Sequence, residues 1–230
     1  MRLKIIFIGL LMIASHCMAH DLWLEKEQNA LKLLYGHKQS THGGDTYLTY
    51  DPKQVKEVKG LINGNIENVN FDKNYPVTVK PIYDATFACY SSGFWTKTVY
   101  GTLNISKENQ KNVVKSWYSE ESVKFIHRWS ENAAKPLTEN LELNSLVDPA
   151  KLKPGDKIRL LVTYKGKPVK DVPVAYGDEP RGTTDDQGKI NIRIQRAGFQ
   201  IISASLTRPG DGIKADEVIT TTSLNFMVEK

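Results

Sequence analysis

The sequence predicts an all-β protein built as two β-sandwich domains in tandem, of immunoglobulin-like or transthyretin-like type. Three observations carry this. Short runs of alternating apolar and polar residues recur along the chain, broken by Gly, Pro, Asn and Asp, as strands and turns require. No stretch has the three-to-four-residue apolar spacing of a long helix. A polar segment from Ser130 to Glu139, containing Pro136, divides the chain into two strand-rich halves.

In the first half, Leu31–Tyr35 reads as a strand ending at Gly36. Tyr47–Tyr50 reads as another, stopped by Asp51-Pro52. Val55–Ile62, Val77–Val79 and Ala85–Tyr90 follow, and Thr96–Leu103 is rich in Thr, Val and Tyr. Residues 106–122 are ambiguous, because Ser106 before Glu108-Asn109-Gln110 is able to cap one or two helical turns. From Ser122 to Trp129 the alternation is clear. Val123, Phe125, His127 and Trp129 share one face, and Lys124, Ile126 and Arg128 the other. In the second half, Lys157–Tyr164 and Val172–Tyr176 flank the turn Lys165-Gly166-Lys167-Pro168. A further turn lies at Gly182–Gly188. Ile190, Ile192 and Ile194 alternate after it, and Phe199–Leu206 and Ala215–Val228 complete the set.

The first nineteen residues have the layout of an export signal. Arg2 and Lys4 precede an apolar run from Ile5 to Ala14, and Cys17-Met18-Ala19 supplies small residues for cleavage before His20. The run is shorter than the roughly twenty residues a spanning helix needs. The rival is lipid attachment at Cys17, against which stand His16 and Ala14 at positions that favour small residues and leucine. The expected organisation is a signal peptide over 1–19, an amino-terminal β domain over 20–135 and a carboxy-terminal sandwich over 136–230, with the mature protein in the periplasm.

Cleavage there removes 19 of 230 residues and two of the cations, so 211 residues remain and the formal charge falls from +5 to +3. A mild, dispersed excess of this kind does not suggest nucleic acid, which leaves a concentrated basic stripe. Cys89 is then the one remaining cysteine, so no internal disulfide is expected. Its apolar surroundings read as those of a buried, inert thiol. No nucleophile–base motif, phosphate loop or paired-cysteine zinc motif is present, and no enzymatic activity is expected. Asp185 and Asp186 read as turn residues. Trp23, Trp95, Trp117 and Trp129 read as core in the first instance and as a carbohydrate platform in the second.

Four histidines remain after cleavage, and three of them, His20, His37 and His42, fall near the new amino terminus. As first residue, His20 would offer its α-amine and its imidazole Nδ1 to one metal ion. Nitrogen donors in a tetragonal array suit Ni(II) and Cu(II), and an α-amine with pKa near 7.7–8.0 gives up its proton at little cost near neutrality. Asp21 and Glu25 are available as further ligands or as hydrogen-bond acceptors behind the ligands. His37 and His42 sit among Gly36, Gly43 and Gly44, which permit a loop to curl both imidazoles to one point. The competing reading is an exposed polar loop with incidental histidines. His127 reads as a satisfied histidine on an apolar strand face.

Several segments resemble one family. These are His20-Asp21-Leu22-Trp23-Leu24-Glu25, Tyr35-Gly36-His37-Lys38 with His42, and Tyr50–Val58. Pro168–Gly188 and Ile201–Leu206 extend the likeness. They resemble NikK-like periplasmic nickel-binding proteins associated with energy-coupling-factor nickel/cobalt transporters. The resemblance implies a soluble protein without catalysis that captures Ni(II) through His20, His37 and His42 and supplies a membrane permease. Two other readings stand beside it: a copper protein using His20 as a brace (carrier or oxidative enzyme), and a metal-free adhesion or interaction module. Cu(II) and Co(II) are the alternative ions.

Overall fold

The computed structural model describes residues 20–40 and 44–229. The expected signal segment, with Cys17, lies outside the described residues, and so does His42. Seventeen strands are described: β1 (Asp21–Glu27), β2 (Ala30–Ser40), β3 (Gly44–Tyr47), β4 (Val55–Ile62), β5 (Asn65–Asn68), β6 (Thr78–Val79), β7 (Ala85–Thr98), β8 (Gly101–Leu103), β9 (Val113–Ile126), β10 (Glu142–Ser145), β11 (Lys157–Tyr164), β12 (Lys167–Pro168), β13 (Pro173–Tyr176), β14 (Glu179–Thr183), β15 (Lys189–Arg193), β16 (Gly198–Pro209) and β17 (Glu217–Val228). No α-helix occurs among the described residues, and none of their helical turns is long and apolar enough to cross a membrane.

The strands form three sheets. A small amino-terminal sheet has the order β1-β2-β3, with β6 also on β2. A small carboxy-terminal sheet has the order β10-β11-β12, with β15 also on β11. The main sheet, nine strands in the order β14-β13-β16-β17-β9-β7-β4-β5 with β8 on β7, runs through both halves of the chain. The join is the parallel pair β17–β9, in which Glu217 lies beside Trp117 and Asn225 beside Phe125.

Side-chain alternation then decides which layer covers which face. Val123 and Phe125 of β9 point into a core with Leu22, Leu24, Leu31 and Leu33 of the amino-terminal sheet and with Val58 and Ala88. Ile126, Leu224 and Phe226 take the opposite parity. They join Leu143, Ile158, Leu160, Val162 and Ile192 of the carboxy-terminal sheet. The two small sheets therefore pack on opposite faces of the shared sheet. A third, smaller cluster puts Leu61, Phe87 and Cys89 under Ala133 and Leu137 of the polar connecting segment.

Several strands differ from expectation. The ambiguous stretch 106–122 contains no helix; its second part is β9, whose Val113–Ser122 pairs with β7 and is held there by long-range register that no local signal reveals. β2 runs through Gly36 to Ser40 rather than ending at Gly36. His127 lies just beyond β9 and is exposed, stacked against Phe125 with 6.4 Å between ring centroids, instead of on an apolar strand face. Cys89 is buried as expected, and burial pushes its thiol up to about 12. It is thus protonated at neutral pH and a poor metal ligand.

Candidate metal centre

The register of the first hairpin builds the site. In the antiparallel pair β1–β2, Asp21 lies opposite Gly36, Leu22 opposite Tyr35 and Leu24 opposite Leu33. Continued by one residue, the same register sets His20 across from His37. Their rings are 4.8 Å apart, centroid to centroid, at 54°. Alternation puts His20, Leu22 and Leu24 on one face, together with His37, Tyr35 and Leu33. That is the core face, so the histidine pair continues the apolar rows of the sandwich at its open end.

Tyr35 stands between the pair and the core. Its ring meets the His20 ring edge-on at 5.3 Å, and its hydroxyl oxygen is 3.3 Å from His20 Nδ1. Below it, Tyr90 packs at 5.5 Å and Tyr50 packs on Tyr90 at the same distance. From the facing sheet comes Glu121, on the same side of β9 as Val123 and Phe125. It is 9% exposed. Tyr35 donates to Glu121 Oε1 at 3.5 Å and Ser119 Oγ donates to the same oxygen at 3.2 Å. Burial pushes the Glu121 carboxyl up to about 7, and these two hydrogen bonds oppose the shift. Burial and the Glu121 charge together push the Tyr90 hydroxyl up to about 12.

The opposite face of the hairpin is tied by charge. Lys38 Nζ bonds Glu25 at 2.9 Å and Asp45 at 2.7 Å and lies over the Trp23 ring. Trp23, fully buried, also donates Nε1–H to Glu25. Glu25 is thus engaged away from the histidines. Asp21 accepts the Lys38 backbone N–H at 3.3 Å. Burial pushes its carboxyl up to about 6; the Lys38 hydrogen bond opposes the rise, and the charge of Asp178, from the second half of the chain, adds to it. The imidazole of His20 is held below its ordinary value, first by partial burial and then by the neighbouring His37.

Gly36 is where the hairpin needs a residue without a side chain. Its φ is +141°, and a Cβ there would lie 2.0 Å from the Thr46 carbonyl oxygen of β3. Gly36→Ala should therefore push β3 off β2 and lower stability by at least the about 1–3 kcal/mol of the backbone strain. Thermal unfolding checks this, and an unchanged melting temperature would refute it.

Of the three expected ligands, the structure brings His20 and His37 together; His42 lies outside the described residues. Among the described residues, no three His, Cys, Asp or Glu side chains form a group able to hold a metal ion. Two imidazole nitrogens on one ion, each about 2.0–2.1 Å from it, sit roughly 3–4 Å apart. Rings 4.8 Å apart are compatible with that spacing. Glu121 and Tyr90 were not singled out from the sequence. The signal for Glu121 was present, since it continues the 125, 123 alternation by one step onto the core face.

Fold and site define an all-β sandwich protein with a histidine pair at the open end of its amino-terminal core. The chain belongs to the DUF4198 family, a domain of unknown function whose family model matches residues 17–208. Comparison with curated proteins and with solved structures gives no match.

Proposed function

We propose that the protein is exported, with His20 as its first mature residue, and captures Ni(II) at the His20–His37 end for delivery to a membrane nickel/cobalt permease. The observation that supports this most is the cross-strand pairing of two imidazoles on the core face, where a strand would ordinarily place apolar side chains. His42, four residues beyond Lys38 in sequence, is the third proposed ligand. The protein acts as a carrier and performs no chemistry on its cargo.

The competing reading is copper, and one observation favours it. Tyr35 stands against His20, where a copper site of the brace type wants an axial oxygen donor. Raw affinity at a nitrogen site also favours Cu(II) over Ni(II). Nickel capture then depends on copper being scarce or chelated where the protein works.

Titration calorimetry on protein beginning at His20 separates these readings. One Ni(II) per chain is expected near neutral pH, with binding weakened more than tenfold in His37→Ala. Only a neutral imidazole can ligate, so protons compete as pH falls, and affinity should decline from pH 7 to 5. Nickel binding that survives His37→Ala unchanged, or that ignores pH across this range, would sink the site. Intact-mass analysis of exported protein tests the cleavage point independently.

A further inference from the structure

Behind the histidine pair lies a buried carboxylate that nickel capture, as stated above, does not use. Glu121 Oε1 takes two hydrogen bonds, from Tyr35 and Ser119, while its Oε2 is buried with no partner among the described residues. Tyr35 touches the site on its other side, through the 3.3 Å approach of its hydroxyl to His20 Nδ1.

A tyrosine hydroxyl has one proton and two lone pairs. Two neighbours compete for that proton. His20 Nδ1 is able to donate or accept, depending on its tautomer, whereas an ionised carboxylate can only accept. A buried anion left short of donors is far more costly than an exposed imidazole in its alternative tautomer. The Tyr35 proton therefore goes to Glu121, and the Tyr35 oxygen is left to accept. His20 must then carry its proton on Nδ1 and donate it to Tyr35. A neutral imidazole protonated at Nδ1 has its lone pair on Nε2.

We infer that Glu121 and Tyr35 form a positioning relay that fixes His20 as the Nδ1–H tautomer and presents its Nε2 to a divalent cation. The arrangement is of the kind seen behind metal-bound histidines, where the second ring nitrogen donates to a fixed acceptor and so sets ring orientation. Here the acceptor is a phenol backed by a carboxylate 86 residues away on β9. The inference rests on the nickel reading for the identity of the cation, but the tautomer is a property of the metal-free protein. It also revises the chelate expected from the sequence. With Nδ1 engaged by Tyr35, His20 binds through Nε2 and does not close a ring with its own α-amine.

The test begins without metal. Protein labelled with 15N-histidine and starting at His20 is studied at pH 8, where Glu121 is ionised, by long-range 1H–15N correlation. His20 is expected as the Nδ1–H tautomer. Tyr35→Phe should shift it toward the Nε2–H form that free histidine favours. Glu121→Ala should do the same, and Glu121→Gln should do so in part, because it keeps an acceptor oxygen for Tyr35 but removes the charge that commands the Tyr35 proton. An Nε2–H His20 in the wild type, or a pattern unmoved by Tyr35→Phe in a protein that melts cooperatively, overturns the relay.

A second arm uses nickel alone. Adding one glycine before His20 should change Ni(II) affinity by less than about threefold, because the amine is not a chelating partner. A loss of a hundredfold or more would restore the Nδ1–amine chelate and overturn the relay. A protein that shows the Nδ1–H tautomer yet binds no nickel upholds the relay and refutes the nickel reading, so the two failures are distinguishable.

Discussion

Lys124→Met should lower the free energy of unfolding by about 3–5 kcal/mol, the loss expected when one partner of a buried ion pair is removed. Lys124 on β9 is fully buried, as is Glu142 on β10. Its Nζ donates to Glu142 Oε1 at 3.3 Å, to Asn144 Oδ1 at 2.7 Å and to the Lys135 carbonyl oxygen at 2.8 Å, so all three protons have acceptors. Burial holds the Lys124 ammonium below its ordinary pKa and the Glu142 carboxyl above its own. Each therefore depends on the other to stay charged.

Methionine fills most of the lysine volume, so the loss isolates charge and hydrogen bonding from packing. Glu142 would keep the Leu137 backbone N–H and the Thr138 hydroxyl as donors, but no cation. The double variant Lys124→Met with Glu142→Gln should recover part of the loss, since no unpaired charge remains inside. Urea unfolding followed by tryptophan fluorescence measures both. A single-variant loss under about 1 kcal/mol would show that water reaches this pair.

Glu121→Gln should do the opposite and stabilise the protein at pH 8 by about 3 kcal/mol, the equivalent of a shift from 4.5 to about 7 at about 1.4 kcal/mol per unit. The sign follows from linkage. A carboxyl whose folded pKa lies above its unfolded value binds an extra proton in the native state between the two. Stability contributed by that proton is present below about 4.5 and is lost as pH rises to about 7. Glutamine is neutral throughout and loses nothing. The two proteins should therefore melt alike near pH 4 and diverge progressively up to pH 7, with the variant the more stable. Asp21, raised to about 6, adds a similar smaller decline to both curves and cancels in their difference. Parallel curves across this range would mean that Glu121 is ionised in the native state at an ordinary pKa.

Both residues mark where sequence reasoning stopped. The β class, most strand positions and the face shared by Val123 and Phe125 were legible, because alternation is a local property of a half-buried strand. Val55–Ile62 and Lys157–Tyr164 match β4 and β11 to the residue. Lys124 was assigned correctly to the face opposite Val123, but the period-two pattern ranks a lysine as solvent-facing; only the carboxy-terminal sheet, packed there, makes that face an interior. The sequence also placed His20 and His37 in one candidate site for a different reason from the one the structure supplies. The glycine loop was expected to join His37 to His42, which lies outside the described residues; what brings His20 to His37 is cross-strand register, and Gly36 serves a close approach of β3. Glu121 escaped because its partner in the site, Tyr35, is remote in sequence. No spacing rule connects residues that meet only when two sheets face each other.

The parallel seam between β9 and β17 also governs the order of events in folding. Trp117 and Glu217 are neighbours across it although a hundred positions separate them along the chain. The far edge of β1 is fastened by the same last strand, through the Ser223 hydroxyl on the Leu22 carbonyl and the Leu24 N–H on Asn225, contacts spanning 201 positions. Such distant pairings close slowly, since the loop entropy must be lost before the contacts form. The β1–β2 hairpin can pair locally, but its anchorage to the rest of the fold waits for the last strand, so the first strand of the fold is among the last to be fixed in place.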